Sequence, residues 1–502
     1  MKSHSVYSPT VASGPAARRV ERGISGSAVL LATAIAAGGL AVPNDLFWHL
    51  AIARRVFERG FPRADPFAFS TDGITWSPPE WLGELAFAAA WESLGLAGTT
   101  LLTLAAIAVC FTALGRAATS VAPPVAAALA TILLAWPAAV HLPMRPLVLG
   151  DVCLAILLER MFALRAGDAR GLAWLPLLFV VWANVHPSWP LGLAVLWLHA
   201  IVLGVIGSRA ARGVMAGEEL PRGSARALAI AALGSPLAAL LRPDGVDGAL
   251  YPFVHVVGLG DRMREIIEWF PPDYTEPVNL ALVVLAGLTL VLTVTAPRVY
   301  PLDAALLLLG VSMAARHQRF VPVAAFVAIP VLARGLARAR FAAVLPSAGA
   351  VRLMLGLAAL LVFVRTPSSR ELATDVRQSY PEGVVRWARS HVVPPRAFNT
   401  FEDGGYLLWH LPRRQVFIDS RFDLYARAGV FDDYLALRRG ERIAEIVDRY
   451  QLDAAFVPTS ERDENFAALE AALPGLGFQL VHADAGTHVW TRETRGITSL
   501  HP

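Results

Sequence analysis

Over its first 366 residues the chain returns again and again to stretches of about 20 predominantly apolar residues, the length a helix needs to cross roughly 30 Å of hydrocarbon. Backbone inside that layer must pair its own polar groups, so such stretches are read as helices. Eleven spans are read, near 25–42, 98–116, 122–140, 147–164, 171–185, 189–207, 226–241, 279–296, 302–315, 321–335 and 351–366. Composition agrees. With 55% hydrophobic and 17% charged residues over 502 positions, and mean hydropathy +0.50, the chain is too apolar for a soluble protein of its size. Cys110 and Cys153 both fall inside apolar spans, so neither a disulfide framework nor a Cys metal site is read. No cleavable signal peptide is read in the Arg-rich tail before the first span.

The net charge of +4 is not the footprint of a nucleic-acid partner, because the arginines cluster in short loops between spans. If the tail with Lys2, Arg18, Arg19 and Arg22 stays in the cytoplasm, that side also receives Arg116, Arg165, Arg170, Arg209, Arg212, Arg222, Arg226, Arg298, Arg334, Arg338 and Arg340. The charge bias thus predicts a multi-pass membrane protein with a cytoplasmic N-terminus, in a bacterium one of the inner membrane. The periplasm then receives loop 43–97, the turns His141–Arg145, Asn184–Ser188 and Arg316–Arg319, loop 242–278 and, because the span count is odd, the C-terminal region. The predicted organisation is a tail over 1–24, a membrane domain over 25–366, a linker over 367–383, a small α/β domain over 384–496 and a tail over 497–502.

Within the first outer loop, Leu46, Phe47, Leu50, Ala53, Val56 and Phe57 alternate with His49, Arg54, Arg55, Glu58 and Arg59 as on a helix lying at an interface. A second such helix is predicted from Pro79 to Leu94. In the C-terminal region strands are predicted over Arg396–Thr400, Gln415–Ser420, Ala454–Pro458, Phe478–Ala483 and His488–Thr491. Helices are predicted near 405–411, 423–438, 441–450 and 463–473.

The chemistry-bearing residues fall in the segments placed outside. Asp45, Asp65, Glu80 and Glu84 are carboxylates near the membrane edge, where low dielectric raises proton affinity and suits a general base. Against this, Asn44 or Asp45 could cap the following helix, Asp65–Pro66 is also a turn signal, and Glu80 and Glu84 could simply face water. His141, Arg145, His186, Arg242, Arg316, His317 and Arg319 supply the forks and imidazoles that hold phosphate oxygens, though each singly could be a snorkelling helix end. Glu268 and Trp269 lie beside Pro271, a pattern shared by sugar-contacting loops and by interfacial anchors. Asp403, Gly404, Gly405 and Tyr406, with Asp419 and Arg421, sit at predicted strand ends, where open α/β sheets bind ligands. A tight Gly-Gly turn opening a helix explains Gly404 and Gly405 equally well.

The segments Asp45–Leu50 and Pro62–Phe67, with Arg145–Pro146, Asn184, His186, Glu268–Trp269 and Gly405 to Asp419, resemble the GT-C superfamily of membrane glycosyltransferases, in particular bacterial members with a C-terminal periplasmic domain. The resemblance implies a polytopic α-helical membrane protein with a small C-terminal α/β domain, transferring a sugar from a polyprenyl-phosphate-linked donor to a glycan, lipid or protein acceptor with inversion. It assigns the base, or metal partner, to Asp45, supported by Asp65 and Glu80. Substrate binding falls to His49, Arg145, His186, Glu268, Arg316, His317 and Arg319. Asp403 and Tyr406 join them through a faint likeness of Glu402–Tyr406 to the acceptor-recognising segment of oligosaccharyltransferases. Asn44 stands where members commonly carry a second acid, so Asp45 is read as a base rather than half of a metal site, and a role for Mg or Mn is left open. Two other classes compete: a flippase for lipid-linked glycans, which should carry mid-bilayer charges and repeated broken helices, and a non-catalytic envelope assembly protein.

Overall fold

The computed structural model describes residues 14–206, 220–221, 223–297, 299–339, 346–459 and 462–492. Of the charges used above to orient the chain, Lys2, Arg209, Arg212, Arg222, Arg298 and Arg340 lie outside the described residues. The chain forms two compact units. One comprises Met1–Leu40, Ala97–Pro252 and Met263–Ser368, the other Ala41–Leu96, Phe253–Arg262 and Ser369–Pro502.

The first unit is helical. A helix covers each of the eleven apolar segments. Helices Pro15–Ala37, Leu96–Val121, Pro277–Val294, Gln318–Arg338 and Ala348–Ser379 are long and apolar enough to cross a membrane. Others are shorter, such as Pro124–Ala139 and Ser224–Ala238, and Leu147–Arg165 carries Asp151, Glu159 and Arg160 in its length. The centre is helix Val321–Arg338, buried without a break from Val321 to Leu336 and packed against Pro124–Ala139, Pro301–Arg316 and Pro277–Val294. A helix apolar all round belongs in a core. The charge count above treats Arg165 and Arg334 as loop cations. Both instead close on the buried Asp303, at 2.6 and 2.7 Å.

The second unit joins the segment after the first span to the C-terminal region. Helix Asp45–Arg59 ends at Gly60, whose φ of 79° suits glycine and whose amide bonds the Val56 carbonyl. The sequence places His49 on that helix's polar face. In the structure Leu46 to Ala53 are buried all round, His49 included, because the first two turns pack against helices Trp81–Leu94 and Gly404–His410. Of the two alternative cap residues, Asn44 holds the cap position but makes no side-chain cap bond.

Strands β1 (Ala397–Phe398), β2 (Ala454–Pro458), β3 (Gln479–Ala483) and β4 (Thr487–Thr491) form one sheet in the order β1-β2-β4-β3. β1 runs parallel to β2, and the other pairs are antiparallel. The predicted strand Gln415–Ser420 is not part of it. Its backbone is engaged elsewhere: Val416 exchanges hydrogen bonds with Phe67 and Phe69, and the Phe417 amide donates to Asn399 Oδ1 at 2.8 Å. Extended chain whose amides are taken by a loop and a side chain cannot join the ladder.

Candidate functional site

In the second unit, three elements converge at the start of helix Asp45–Arg59. Asp45 Oδ1 accepts from Trp48 Nε1 at 3.1 Å and from Ser420 Oγ at 2.7 Å, both neutral donors. Next to it, Asn44 Oδ1 accepts from the Tyr380 hydroxyl at 3.1 Å. Tyr380 stacks on Tyr406 with ring centroids 5.0 Å apart, and Phe47 meets both rings edge-on. Burial pushes both phenols up, helped at Tyr380 by the charge of Asp45, with Tyr406 reaching about 12. Both hydroxyls therefore stay protonated donors at neutral pH. The Gly-Gly turn is what permits this approach. A Cβ on Gly405 would come within 3.1 Å of the Trp48 amide, and one on Gly404 would strike the Ile418 carbonyl and the Asp419 backbone.

His49 lies one turn further along, 2% exposed, with Nδ1 3.1 Å from Glu84 Oε1 and Nε2 3.8 Å from Glu80 Oε2. Glu84 is fully buried, so it does not face water. The imidazole thus sits between two acids.

Asp65 has a different setting. Its oxygens accept from the Phe67 and Ala68 amides at 3.2 and 3.3 Å and from Thr71 Oγ1 at 2.5 Å, and Oδ1 lies 2.7 Å from Arg421 Nη1. Arg421 also grips Asp419, through Nε at 2.8 Å and Nη2 at 2.6 Å, while the Tyr425 hydroxyl donates to Asp419 Oδ2 at 2.7 Å. Burial works against the Arg421 charge, but Asp419 and Asp65 more than offset it and hold the guanidinium well above its ordinary value. Asp403, also buried, is paired with Arg462.

In the first unit, Arg145 pairs with Glu268, and the neighbouring Trp269 carries Arg319 over its ring, 4.4 Å from the centroid. His317 Nδ1 lies 2.6 Å from the Trp269 carbonyl, and because a carbonyl only accepts, Nδ1 carries the proton. Nε2 is thereby left as the basic nitrogen of the neutral ring. These five residues form one group, joined by the Gln318 amide bonding the Phe270 carbonyl. Arg316 closes helix Pro301–Arg316 at an exposed position. His186 is buried at the end of helix Leu175–Val185, with Nδ1 accepting from the Ser188 amide. Across from it, Gly150 leaves no room for a Cβ against Ser188 and His186.

One residue escaped the sequence reading. Asp151, a single turn into helix Leu147–Arg165, is 7% exposed, has Arg145 and Arg319 as its electrostatic neighbours, and leaves Oδ2 without a hydrogen-bond partner among the described residues. An acid inside an apolar span is costly and marks a functional candidate, so the signal was present. Ser420, Tyr380 and Arg462 carried no comparable signal. Among the described residues no group of three His, Cys, Asp or Glu side chains is placed to hold a metal ion.

Comparison with solved structures finds a known fold. The chain superposes on the Archaeoglobus fulgidus oligosaccharyltransferase tethered to an acceptor peptide containing the NVT sequon, with a TM-score of 0.57 and 13% identity, over 95% of this chain and 74% of that one. A second structure, A. fulgidus AglB with an inhibitory peptide and dolichol-phosphate, gives a TM-score of 0.58 and 11% identity over 97% and 75%. ArnT from Cupriavidus metallidurans, bound to undecaprenyl phosphate, gives a TM-score of 0.51 and 15% identity over 92% and 96%. The chain has the GT-C fold. By sequence it matches no protein-family model and no curated protein. The GT-C likeness is thus one of three-dimensional structure.

Proposed function

We propose that this chain is a GT-C glycosyltransferase that crosses the bacterial inner membrane eleven times. It transfers a hexose or pentose from a polyprenyl-phosphate-linked donor to a glycan, lipid or protein acceptor on the periplasmic face. The observation that carries this is the likeness, over more than nine-tenths of the chain, to enzymes whose solved structures hold dolichol-phosphate and undecaprenyl phosphate. Asp45 takes the proton of the acceptor hydroxyl as its oxygen attacks the anomeric carbon. The bond from that carbon to the lipid phosphate breaks in line, its electron pair leaves with the phosphate, and the configuration inverts. Phosphate departs as an anion, so no leaving-group acid is required. Arg145, His186, Arg316, His317 and Arg319 stabilise that developing charge, while Trp269, with Glu268, offers a face to a sugar. Asp65 supports Asp45 by anchoring Arg421 and hence the Ser420 that donates to it. Glu80 supports it from the other side through His49. Asp403 and Tyr406 serve the acceptor.

The test is the full-length protein in nanodiscs with polyprenyl-phosphate-linked sugars. Asp45→Asn is expected to lower turnover by about 10²- to 10⁴-fold, the usual contribution of a general base, with the thermal midpoint preserved. Unchanged turnover would remove Asp45 from the mechanism. A wild-type protein inert toward every hexosyl and pentosyl donor would remove the function.

A further inference from the structure

A cavity of about 730 Å³ opens in the second unit away from Asp45, between the C-terminal half of helix Asp45–Arg59 and the segments around Val393 and Pro412–Gln415. Its wall carries Arg54, Arg55, Arg59, Arg413 and Arg414 against one acid, Glu58, a formal balance of +5 − 1 = +4. We propose that this cavity binds a phosphate-bearing ligand, held by those five guanidinium groups.

Two features argue that the arginines are there for a ligand. The first is how they are held. Arg54 lies flat on the Trp409 ring, 3.6 Å from its centroid, and donates to the Trp409 carbonyl at 3.1 Å. Arg55 donates to the Gly60 carbonyl at 3.0 Å, and Arg414 to the Val393 carbonyl. Carbonyls and a ring face fix orientation without neutralising charge, so the cavity keeps an unspent positive field. Burial lowers the proton affinity of Arg54, against the pull of Glu58 and Glu92, and that of Arg414. The second is stoichiometry. Several guanidinium forks facing one space suit an anion with three oxygens and up to two charges better than a carboxylate with two oxygens and one.

Such a group can come from a soluble phosphate ester or from the headgroup of an anionic phospholipid. Phe57, 87% exposed on the same helix turn, is compatible with the second source. Two measurements on the full-length protein separate them. Calorimetry in phosphatidylcholine nanodiscs follows glycerol 3-phosphate, and native mass spectrometry follows phosphatidylglycerol retained from nanodiscs that contain it. The comparison is with the double variant Arg59→Gln, Arg413→Gln, and with Arg413→Gln alone, an exposed position that keeps the test standing if the double variant unfolds. Glycerol 3-phosphate binding weakened at least about tenfold in the variants supports the site with a soluble ligand, since each lost charged hydrogen bond is worth about 1.5–3 kcal/mol. Retention of phosphatidylglycerol by wild type and its loss from the variants supports a lipid headgroup. Neither ligand on the wild type, or equal binding by wild type and folded variants, overturns the proposal.

Discussion

Each unit buries arginine against carboxylate, and the two clusters are built differently. Around Arg421 the accounts of donor and acceptor match: Asp65 and Asp419 take up its fork, two backbone amides, Thr71 and Tyr425 fill the remaining lone pairs, and Phe67 and Trp76 cover its faces. Around Arg145 and Arg319, Glu268 is 37% exposed, Trp269 stacks on one cation, and one Asp151 oxygen has no hydrogen-bond partner among the described residues. A saturated buried network has nothing left to offer a ligand and acts as architecture, whereas an unsaturated one retains groups that a ligand can complete.

The contrast breaks most easily at Arg421. Arg421→Ala leaves two carboxylates buried without their cation and is expected to destabilise the protein by about 3–5 kcal/mol, read from the thermal midpoint of the purified chain. A loss below about 1 kcal/mol would mean that this cluster is not architecture. Gly404→Ala, which drives a methyl into the Ile418 and Asp419 backbone, is expected to cost about 1–3 kcal/mol and to disturb the Ser420 contact with Asp45. In the other unit Arg145→Gln should change stability by less than about 1 kcal/mol, because its partner is half in water, while weakening retention of a polyprenyl phosphate in native mass spectrometry. A large stability loss without a change in retention would make the two clusters alike.

A pH dependence is expected in the second unit. Burial, reinforced by Arg389 and Arg54, pushes His410 down to about 4. Between the ordinary value near 6.5 and 4, the unfolded chain therefore binds a proton that the folded chain refuses. Stability is complete above about 6.5 and falls as pH drops toward 4. Replacing His410 by Gln should flatten the thermal midpoint across that window, and an unchanged slope would assign the dependence to other groups.

What the sequence made legible follows from the range of the forces involved. Helix Asp45–Arg59, helix Trp81–Leu94 and strand β2 are written in local periodicity, and they appear within a residue or two of their expected places. Strand Gln415–Ser420 has the local signature too, but its partners are Phe67, Phe69 and Asn399, which no local pattern names. The same holds for the site. Asp45, Asp65 and Arg421 each stand out as charges, yet the bond from Asp65 to Arg421 joins positions 356 residues apart and has no trace in either neighbourhood. Asp151 was missed for the opposite reason, an apolar surround that made its segment look like plain membrane anchor.

That long bond also sets a schedule for synthesis. The segment Ala41–Leu96 leaves the ribosome early, but its partners in the second unit come from Phe253–Arg262 and from Ser369 onward. At about 5–20 residues per second, Asp65 waits on the order of 20–70 s before Arg421 is made. During that interval Asp65, Asp45 and Phe47 lack the neighbours that Arg421, Ser420, Tyr380 and Tyr406 later supply. The nascent chain must hold a half-built domain open while most of the membrane helices are threaded, so a stop codon late in the message would disarm a segment translated at its beginning.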